Sequence, residues 1–324
     1  MQLPEPDLPA IPLVSILIPC YNGAICLAET LESALAQTYQ NTEILLVDDG
    51  STDSSLSIAR SFEPRGVRVF TQLNSGAAAA RNRALRLAQG DYIQFLDADD
   101  LLAPDKIALQ LAALRAAPPL AIASGTWGRF TADPASTVWS TEAVYAARSG
   151  IAYLQIHYET GSMMQPGAWL APRALLNLAG PWDETLSLND DGEYFARVTL
   201  RASSIVPVPA ARCHYRTGSA ASLSRRCDTR ALTSLHRSVE LTSAHLLSAD
   251  RSPRSHAAAA LAWRASAFEL YPDAPNLARA ARRAARSLDH TDTPRGGPAW
   301  VAHLARLTGW TFARRLHLLR NRLL

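Results

Sequence analysis

Acidic residues follow two apolar runs within the first hundred residues, and their type and spacing suit the binding of a metal ion and a diphosphate. Asp48 and Asp49 stand at the end of one run, and Asp97, Asp99 and Asp100 stand at the end of another. Carboxylates gathered at one place repel one another unless a cation lies among them. Oxygen ligands of this kind suit Mg²⁺ or Mn²⁺, which commonly bind substrate phosphates as well. These residues therefore predict a site for a divalent metal and a diphosphate.

Helix capping is the alternative role for these acids. Asp49 and Asp53 lie at the start of one predicted helix, while Asp99 and Asp100 precede another that begins near residue 104. Short acidic side chains accept hydrogen bonds from the free N–H groups at helix starts, so capping accounts for each residue taken singly. Their convergence on one sheet edge, with Asp97-x-Asp99 ending an apolar strand, favours the metal site.

The elements that must position these acids are short apolar strands alternating with helices. The pattern predicts strands at 13–19, 43–48, 67–72 and 91–97, with helices at 25–37, 53–61 and 77–88 between them. Such an alternation produces right-handed crossovers and a parallel sheet covered by helices. In open parallel sheets, ligands bind beyond the carboxyl ends of the strands, which is where the acids stand. The sequence therefore predicts an α/β fold with a ligand site at that edge.

Motifs and composition exclude several function classes. No G-x-G-x-x-G follows the first strand and no G-x-x-x-x-G-K-[ST] occurs, which excludes dinucleotide-binding and P-loop enzymes. Of the 324 residues, 48% are hydrophobic, which is enough apolar surface for a folded core rather than a disordered chain. Four widely separated cysteines, and a first segment without a basic start and apolar run, favour a cytoplasmic protein with reduced thiols. Peripheral attachment at the inner face of the membrane is a compatible location.

Four ordered segments resemble the family 2 glycosyltransferases of GT-A fold. They are VSILIPCYN (14–22), VDDGSTD (47–53), NSGAAAARN (74–82) and GDYIQFLDADD (90–100). The resemblance covers about residues 12–225 and implies a GT-A (Rossmann-like), mostly parallel sheet flanked by helices. It also implies a catalytic domain at 1–225, with a nucleotide-binding half at 12–100 and an acceptor half at 101–225. The remaining residues, 226–324, form a C-terminal α-helical region in this prediction.

The resemblance also implies roles for individual residues that bind the donor, a nucleoside-diphosphate-sugar and preferably a UDP-sugar. The residues that it places against the base or ribose are Pro19, Tyr21, Asp49, Arg81 and Asp97. Asp99 matches the acid that binds the metal bridging the diphosphate, and Asp97 matches a second metal ligand. Asp100 matches a third acid whose contribution to metal binding varies within the family. The implied cofactor is Mn²⁺ or Mg²⁺.

The second half of the chain contains a match to the family's Glu-Asp pair, in which the Asp is the general base of an inverting displacement. Asp190-Asp191 occupies this place before a predicted helix at 193–202, so the resemblance implies that Asp191 is the base. Asp190 stands in place of the Glu. The carboxylate expected near the acceptor is therefore carried on a side chain that is shorter by one methylene group. Capping of the same helix is the alternative for both acids, and it does not exclude catalysis.

Three further residues of the second half are candidates. Arg216 matches a segment that folds over the donor, where a guanidinium neutralises phosphate oxygens bidentately. Trp169 and Trp182 have rings that could stack on an acceptor sugar, with a place in the core as the alternative for each. Residues 121–128 and the stretch after them have the character of mixed strand and loop.

The C-terminal hundred residues are strongly basic. Residues 225–324 hold 17 arginines and seven acids, a balance of +10, against −7 for residues 1–224, and the two sum to the formal +3 of the chain. Helices are predicted at 229–248, 255–270 and 276–288, followed by one amphipathic basic helix at 299–324. Two alternatives remain open for this region, a bundle that packs on the catalytic domain and a surface that contacts anionic lipid. Nucleic acid is not an expected partner, because no aromatic platform or groove motif accompanies the arginines.

Together these features predict an inverting, metal-dependent glycosyltransferase that acts on a hydroxyl of a glycan or lipid-linked acceptor. The alternative is a catalytically silent protein that binds nucleotide-sugar or scaffolds a glycan-assembly complex. Asp99 and Asp191 together favour catalysis, because a protein that only binds has no use for a base.

Overall fold

The computed structural model describes residues 11–218, 228–290 and 298–323. The predicted domain boundary at residue 225 lies outside the described residues and stays a prediction. Within the described part of the chain, helices cover the faces of one nine-stranded sheet, and further helices follow it in sequence.

The first half of the chain forms the predicted alternation of strands and helices. Its elements are β1 (Val14–Cys20), α1 (Leu27–Leu35), β2 (Thr42–Asp48), α2 (Ser55–Ser61), β3 (Val67–Thr71), α3 (Ala77–Leu87) and β4 (Tyr92–Phe95). The four strands pair in the order β3-β2-β1-β4, and every one of these pairings is parallel. All seven residues of β1 are buried, because a central strand with helices on both faces has no exposed side. The carboxyl ends of β1, β2 and β4 therefore meet at one edge.

The second half extends the sheet with strands of both directions. Its elements are β5 (Leu101–Leu102), α4 (Lys106–Arg115), β6 (Ile122–Phe130), β7 (Val138–Trp139), α5 (Gly150–Thr160), β8 (Trp169–Pro172), α6 (Arg173–Ala179), α7 (Asp190–Arg201) and β9 (Ile205–Arg216). The order continues from β4 as β8-β6-β9-β5, and β7 pairs with β6. Of the pairings among the described residues, β6 with β9 is parallel, whereas β8 is antiparallel to both β4 and β6. The α/β fold class is confirmed, but the sheet is mixed and only its first half is parallel throughout.

The sequence pattern missed two large elements of this half. Helix α5 occupies part of a stretch expected to be strand and loop, and the 12-residue strand β9 was not predicted. Local signals for α5 were present. The Ser149 side chain accepts a hydrogen bond from the N–H of Ala152, and Gly161 ends the helix in a left-handed conformation. Strand β9 has less signal, because its two prolines and two arginines do not alternate regularly with apolar residues.

The C-terminal region is helical as predicted, with one correction. It contains α8 (Thr229–Ala249), α9 (Pro253–Leu270), α10 (Pro275–Leu288), α11 (Ala299–Thr308) and α12 (Trp310–Leu323). The predicted single helix over 299–324 is wrong, because Gly309 adopts a φ of 82° and ends α11. Helices α8 and α9 pack on α7 and α5, and Leu246 and Ala258 belong to the same core as the sheet. In the described part of the chain, no helix is both long and apolar enough to cross a membrane.

Candidate active site

The loops after β1 and β2 are tied to each other at the carboxyl edge of the sheet. The Asn22 side chain accepts a hydrogen bond of 2.8 Å from the N–H of Thr52, and its own N–H donates to the Ser51 hydroxyl at 3.0 Å. Asn22 has a φ of 51°, a left-handed conformation that Asn tolerates better than most residues. Pro19 is buried within β1, whereas Tyr21 is 46% exposed beside these loops. Of the predicted base-contacting pair, Tyr21 is thus the residue that presents a side chain to solvent.

Asp49 holds the loop that leads into α3. Its carboxylate is buried and accepts hydrogen bonds from the Gln72 amide at 2.7 Å and from the N–H groups of Ser75 and Gly76 at 2.9 and 2.8 Å. Gly76 immediately precedes α3, so the carboxylate also lies at the positive end of that helix. Asp49 therefore fixes the start of α3, and its predicted contact with a nucleobase stays a prediction.

The acidic loop after β4 is held in place by Arg216. The Arg216 N–H donates to Asp100 Oδ1 at 2.8 Å, and its Nε donates to the Asp99 carbonyl at 2.9 Å. Its Nη2 forms an ion pair of 2.6 Å with Glu29, and the guanidinium lies 4.4 Å from the centre of the Phe130 ring. Arg216, the last residue of β9, therefore holds the acidic loop in position. Its guanidinium is already paired with the Glu29 carboxylate. Contact between Arg216 and a diphosphate stays a prediction.

Electrostatic crowding perturbs two acids of this loop. Burial and the neighbouring Asp97 carboxylate raise the pKa of Asp99 to about 6. Burial, Asp99 and Asp97 also raise the pKa of Asp100 well above its ordinary value. Asp100 Oδ2 is buried without a hydrogen-bond partner among the described residues. This loop therefore carries more negative charge than its protein surroundings compensate, which favours a bound cation.

The predicted set of three metal ligands is not assembled by protein atoms alone. Within the three described ranges, no group of three or more His, Cys, Asp or Glu side chains is arranged to hold a metal ion. Asp100 is 1% exposed and bonds to the backbone of Arg216, while Asp97 pairs with Arg81. Asp100 as a metal ligand stays a prediction, because its Oδ1 holds the backbone of Arg216 while its Oδ2 has no partner among the described residues. A cation bound through one or two carboxylates and completed by substrate phosphates fits the remaining groups, as is usual for Mg²⁺.

Arg81 joins the acidic loop to the second half of the site. From α3, its Nη2 donates to Asp97 Oδ1 at 2.7 Å and its Nη1 donates to Asp190 Oδ2 at 2.8 Å. The side chain is buried, and its guanidinium lies 4.6 Å from the centre of the Trp182 ring. Burial alone would lower the pKa of Arg81, but Asp97 and Asp190 raise it above its ordinary value. The guanidinium is therefore a permanent positive charge between two carboxylates that are far apart in sequence.

Trp169 and Trp182 are corrected to core residues. They are 2% and 1% exposed, so neither ring presents a face on which a sugar could stack. The Trp182 ring stacks on Tyr194 at 4.0 Å between centroids, and the Trp169 ring stacks on Phe195 at 5.5 Å. Trp182 still contributes to the site, because the Arg81 guanidinium packs on its ring. The large apolar area of such rings is best buried where the sheet meets α7.

Asp190 and Asp191 form the first turn of α7. Burial and the adjacent Asp190 raise the pKa of Asp191 to about 6, although Arg81 acts in the opposite direction. Asp191 Oδ1 accepts a hydrogen bond of 2.9 Å from the N–H of Gly192. No side chain caps the helix at Asn189, and the two acids instead place negative charge at its positive end. Asp191 is thus half-buried, next to the Arg81 pair, with a pKa suited to proton transfer near neutral pH.

Helix α8 fixes the segment that leads into Asp190, a feature that the sequence did not reveal. Ser234 accepts hydrogen bonds from the N–H groups of Ser187 and Leu188 and donates to the Leu188 carbonyl at 2.8 Å. Ser238 donates to the Asn189 carbonyl and accepts from the Asn189 amide at 2.7 Å. Asn189 has a φ of 58°, so this turn needs the support of external hydrogen bonds. The C-terminal helical region therefore takes part in positioning the predicted base.

The chain is similar in sequence to known glycosyltransferases. A relative from Haemophilus influenzae, described as an uncharacterized glycosyltransferase, is 50% identical over 103 residues, which are 31% of this chain and 41% of the relative. The chain thus aligns with less than half the length of that relative.

Two solved structures are similar in fold. S. aureus TarS, residues 1–349 in complex with UDP-GlcNAc, superposes with a TM-score of 0.71 at 18% identity over 93% of this chain and 89% of that one. The mannosyltransferase PcManGT from Pyrobaculum calidifontis, in complex with GDP-Man and Mn²⁺, does so with a TM-score of 0.56 at 21% identity over 97% and 88%. The family model described as glycosyl transferase family 2 matches residues 15–177, just over half of the chain. The four motifs lie around one edge of the sheet, and the family model matches the residues that form this edge. The chain therefore belongs to glycosyl transferase family 2.

Proposed function

We propose that this protein transfers a sugar, with inversion, from a nucleoside-diphosphate-sugar to a hydroxyl group of a glycan or lipid-linked acceptor. Asp191 is the general base in this proposal, and Asp99 with Asp97 is the site of a divalent metal that binds the donor diphosphate. The observation that carries it is the Arg81 bridge, with ion pairs of 2.7 Å to Asp97 and 2.8 Å to Asp190. The bridge keeps the donor-side acid loop and the base-bearing start of α7 next to each other.

The base step follows from the state of Asp191. A pKa of about 6 leaves this carboxylate ionised at neutral pH and still basic enough to accept a proton in the transition state. The acceptor hydroxyl loses its proton to Asp191, and its oxygen forms a bond to the anomeric carbon. The bond from that carbon to the diphosphate oxygen breaks on the opposite side, and the nucleoside diphosphate leaves. Asp190 holds Arg81, so its role is to orient this half of the site.

The leaving diphosphate needs stabilisation of its growing negative charge. When bound, Mn²⁺ or Mg²⁺ acts as a Lewis acid on the diphosphate oxygens. Asp99 is the residue proposed to hold it, because burial and the neighbouring Asp97 carboxylate raise its pKa, and a bound cation would offset both effects. PcManGT in complex with GDP-Man and Mn²⁺ supports the use of such an ion. The UDP-GlcNAc complex of TarS, which superposes with a higher TM-score, supports a UDP-sugar as donor.

A thermal-shift series with UDP-, GDP- and CDP-sugars, each with and without Mn²⁺, tests the donor and metal assignments. We expect a UDP-sugar to raise the Tm most, and part of that rise to require Mn²⁺. Asp99→Asn should lose the Mn²⁺-dependent part, because it removes the ligand charge. Asp105→Asn is the matched control, since Asp105 is an exposed acid just before α4 and its side chain makes no capping hydrogen bond. An unchanged Mn²⁺-dependent rise in Asp99→Asn would contradict the metal assignment.

Asp191→Asn tests the base. We expect it to keep the nucleotide-sugar shift of the wild type and to reduce transfer by about 10²–10⁴-fold, the usual contribution of general-base catalysis. Transfer at the wild-type rate by this variant would remove Asp191 from that role. A wild-type protein that binds the donor but releases no nucleoside diphosphate with any glycan acceptor tested would support the catalytically silent alternative.

A further inference from the structure

The last helix, α12, has an exposed apolar face that no described residue covers. Phe312, Leu316 and Leu319 are 55%, 41% and 55% exposed. At 3.6 residues per turn, these three positions lie within an arc of about 60°. We call this set the apolar stripe. Leu307, near the end of α11, is 77% exposed. Four large exposed apolar side chains within 13 residues of sequence are an unusual concentration for a surface that meets only water.

A different face of α12, which begins about 90° around the helix from the centre of the apolar stripe, anchors the helix to the rest of the protein. Ala313 is fully buried and packs in a small core with Phe268 of α9 and with Val301 and Ala305 of α11. Trp310 packs against the same group. The apolar stripe is therefore on the outside of an anchored helix, and its exposure is not a consequence of a helix without packing.

Positive charge flanks the apolar stripe. Arg315 and Arg320 are exposed and lie about 60° to one side and about 80° to the other side of Phe312 around the helix. Their guanidinium groups also lie near the Tyr271 and Trp300 rings, at 5.6 and 5.5 Å. Residues 298–323 contain five arginines and no Asp or Glu. An apolar stripe bordered by arginine on both sides is the pattern of a helix that lies in a membrane interface.

We propose that the pair of helices α11 and α12 docks on an anionic lipid surface. The apolar stripe enters the boundary between headgroups and acyl chains, and Arg315 and Arg320 pair with lipid phosphates. Charge complementarity selects this partner, because a stretch with five arginines and no acids repels another basic surface, including a second copy of itself. The proposal does not depend on the proposed catalytic activity.

Flotation of the full chain with vesicles tests the proposal. We expect binding to vesicles of phosphatidylcholine mixed with phosphatidylglycerol, and much weaker binding to phosphatidylcholine alone. Replacing the apolar stripe by serine (Phe312→Ser, Leu316→Ser and Leu319→Ser) should weaken binding on the order of 100-fold, because three apolar insertions are lost. Arg315→Gln with Arg320→Gln should weaken binding about 25-fold and reduce its dependence on salt.

Matched controls separate docking from general surface effects. Leu73→Ser removes a leucine that is 88% exposed elsewhere, and Arg60→Gln removes an exposed arginine of α2, so both should bind vesicles as the wild type does. All replaced side chains are exposed, and circular dichroism checks that the variants fold. The proposal is overturned if the wild type binds neither kind of vesicle. It is also overturned if the serine variant binds as well as the wild type. A wild-type dimer that becomes monomeric in the serine variant, without vesicle binding, overturns it in favour of self-association.

Discussion

Replacing Arg81 by Gln is expected to separate its electrostatic effect on the base from its structural effect. Arg81 forms ion pairs of 2.7 and 2.8 Å with Asp97 and Asp190, and its own side chain is only 7% exposed. Removing one partner of a buried ion pair usually lowers the free energy of unfolding by about 3–5 kcal/mol. We expect about 3 kcal/mol here, because both carboxylates keep some access to water. For a chain of 324 residues, that loss lowers the Tm by about 4–5 °C.

The same substitution should shift the pH dependence of transfer. The Arg81 charge lowers the pKa of Asp191, which burial and Asp190 otherwise raise, so its removal raises that pKa above about 6. A base with a higher pKa is protonated at higher pH, and the acid limb of kcat/KM should therefore move to higher pH by about 1 unit. The measurement is kcat/KM as a function of pH, from below the acid limb up to pH 8.5, for the wild type and for each variant.

Two further variants serve as controls. Arg81→Lys keeps the charge but loses the planar fork, so it should leave the acid limb close to its wild-type position while still lowering the Tm. Arg86→Gln removes an exposed arginine of the same helix and should change neither quantity. A folded Arg81→Gln protein whose acid limb stays in place, or moves to lower pH, would refute the electrostatic link between Arg81 and Asp191.

Two predictions concern stability. Burial lowers the pKa of Lys106 to about 7, so between about pH 7 and the ordinary pKa of lysine the unfolded chain binds a proton that the folded chain does not. Stability should rise from pH 7 to pH 8.5 in urea unfolding, and Lys106→Met should lack that rise; equal slopes would contradict the assignment. In Gly150→Ala the new Cβ would lie 2.2 Å from the Thr199 carbonyl oxygen of α7, which predicts a loss of about 3 kcal/mol. Gly161→Ala, with no atom within 4 Å but a φ of 74°, should lose only about 1 kcal/mol, and equal losses in thermal unfolding would disprove the close approach of α5 to α7.

Local pattern was sufficient for the donor half of the fold. The strands predicted at 13–19, 43–48, 67–72 and 91–97 are β1 to β4, displaced by no more than two residues at either end. Parallel buried strands are short apolar runs with polar ends, so composition marks them directly. The long strand β9 lacks such a pattern because its stability comes from β6, which is distant in sequence. Helix α5 has local end signals at Ser149 and Gly161, but its packing partners α7 and α9 are distant in sequence.

The site residues divide in the same way. The positions of Asp97, Asp99 and Asp191 beside strand and helix ends could be read from motifs. The burial of Trp169 and Trp182 could not, because a tryptophan has the same local signature in a core and on a binding surface. The break at Gly309 had a local signal, since glycine commonly ends helices, but the amphipathic pattern continues across it.

The sequence by itself determined the family, the parallel half of the sheet and the acids that stand at its edge. Each of these depends on short segments whose residues are close in the chain. Only the tertiary structure decided that Arg81 joins Asp97 to Asp190, two residues that are 16 and 109 positions away from it. It also decided that Ser234 and Ser238 of the C-terminal region hold the turn before Asp191. Ion pairs and hydrogen bonds depend on distances of about 3 Å, and such distances between remote segments exist only once the chain is packed.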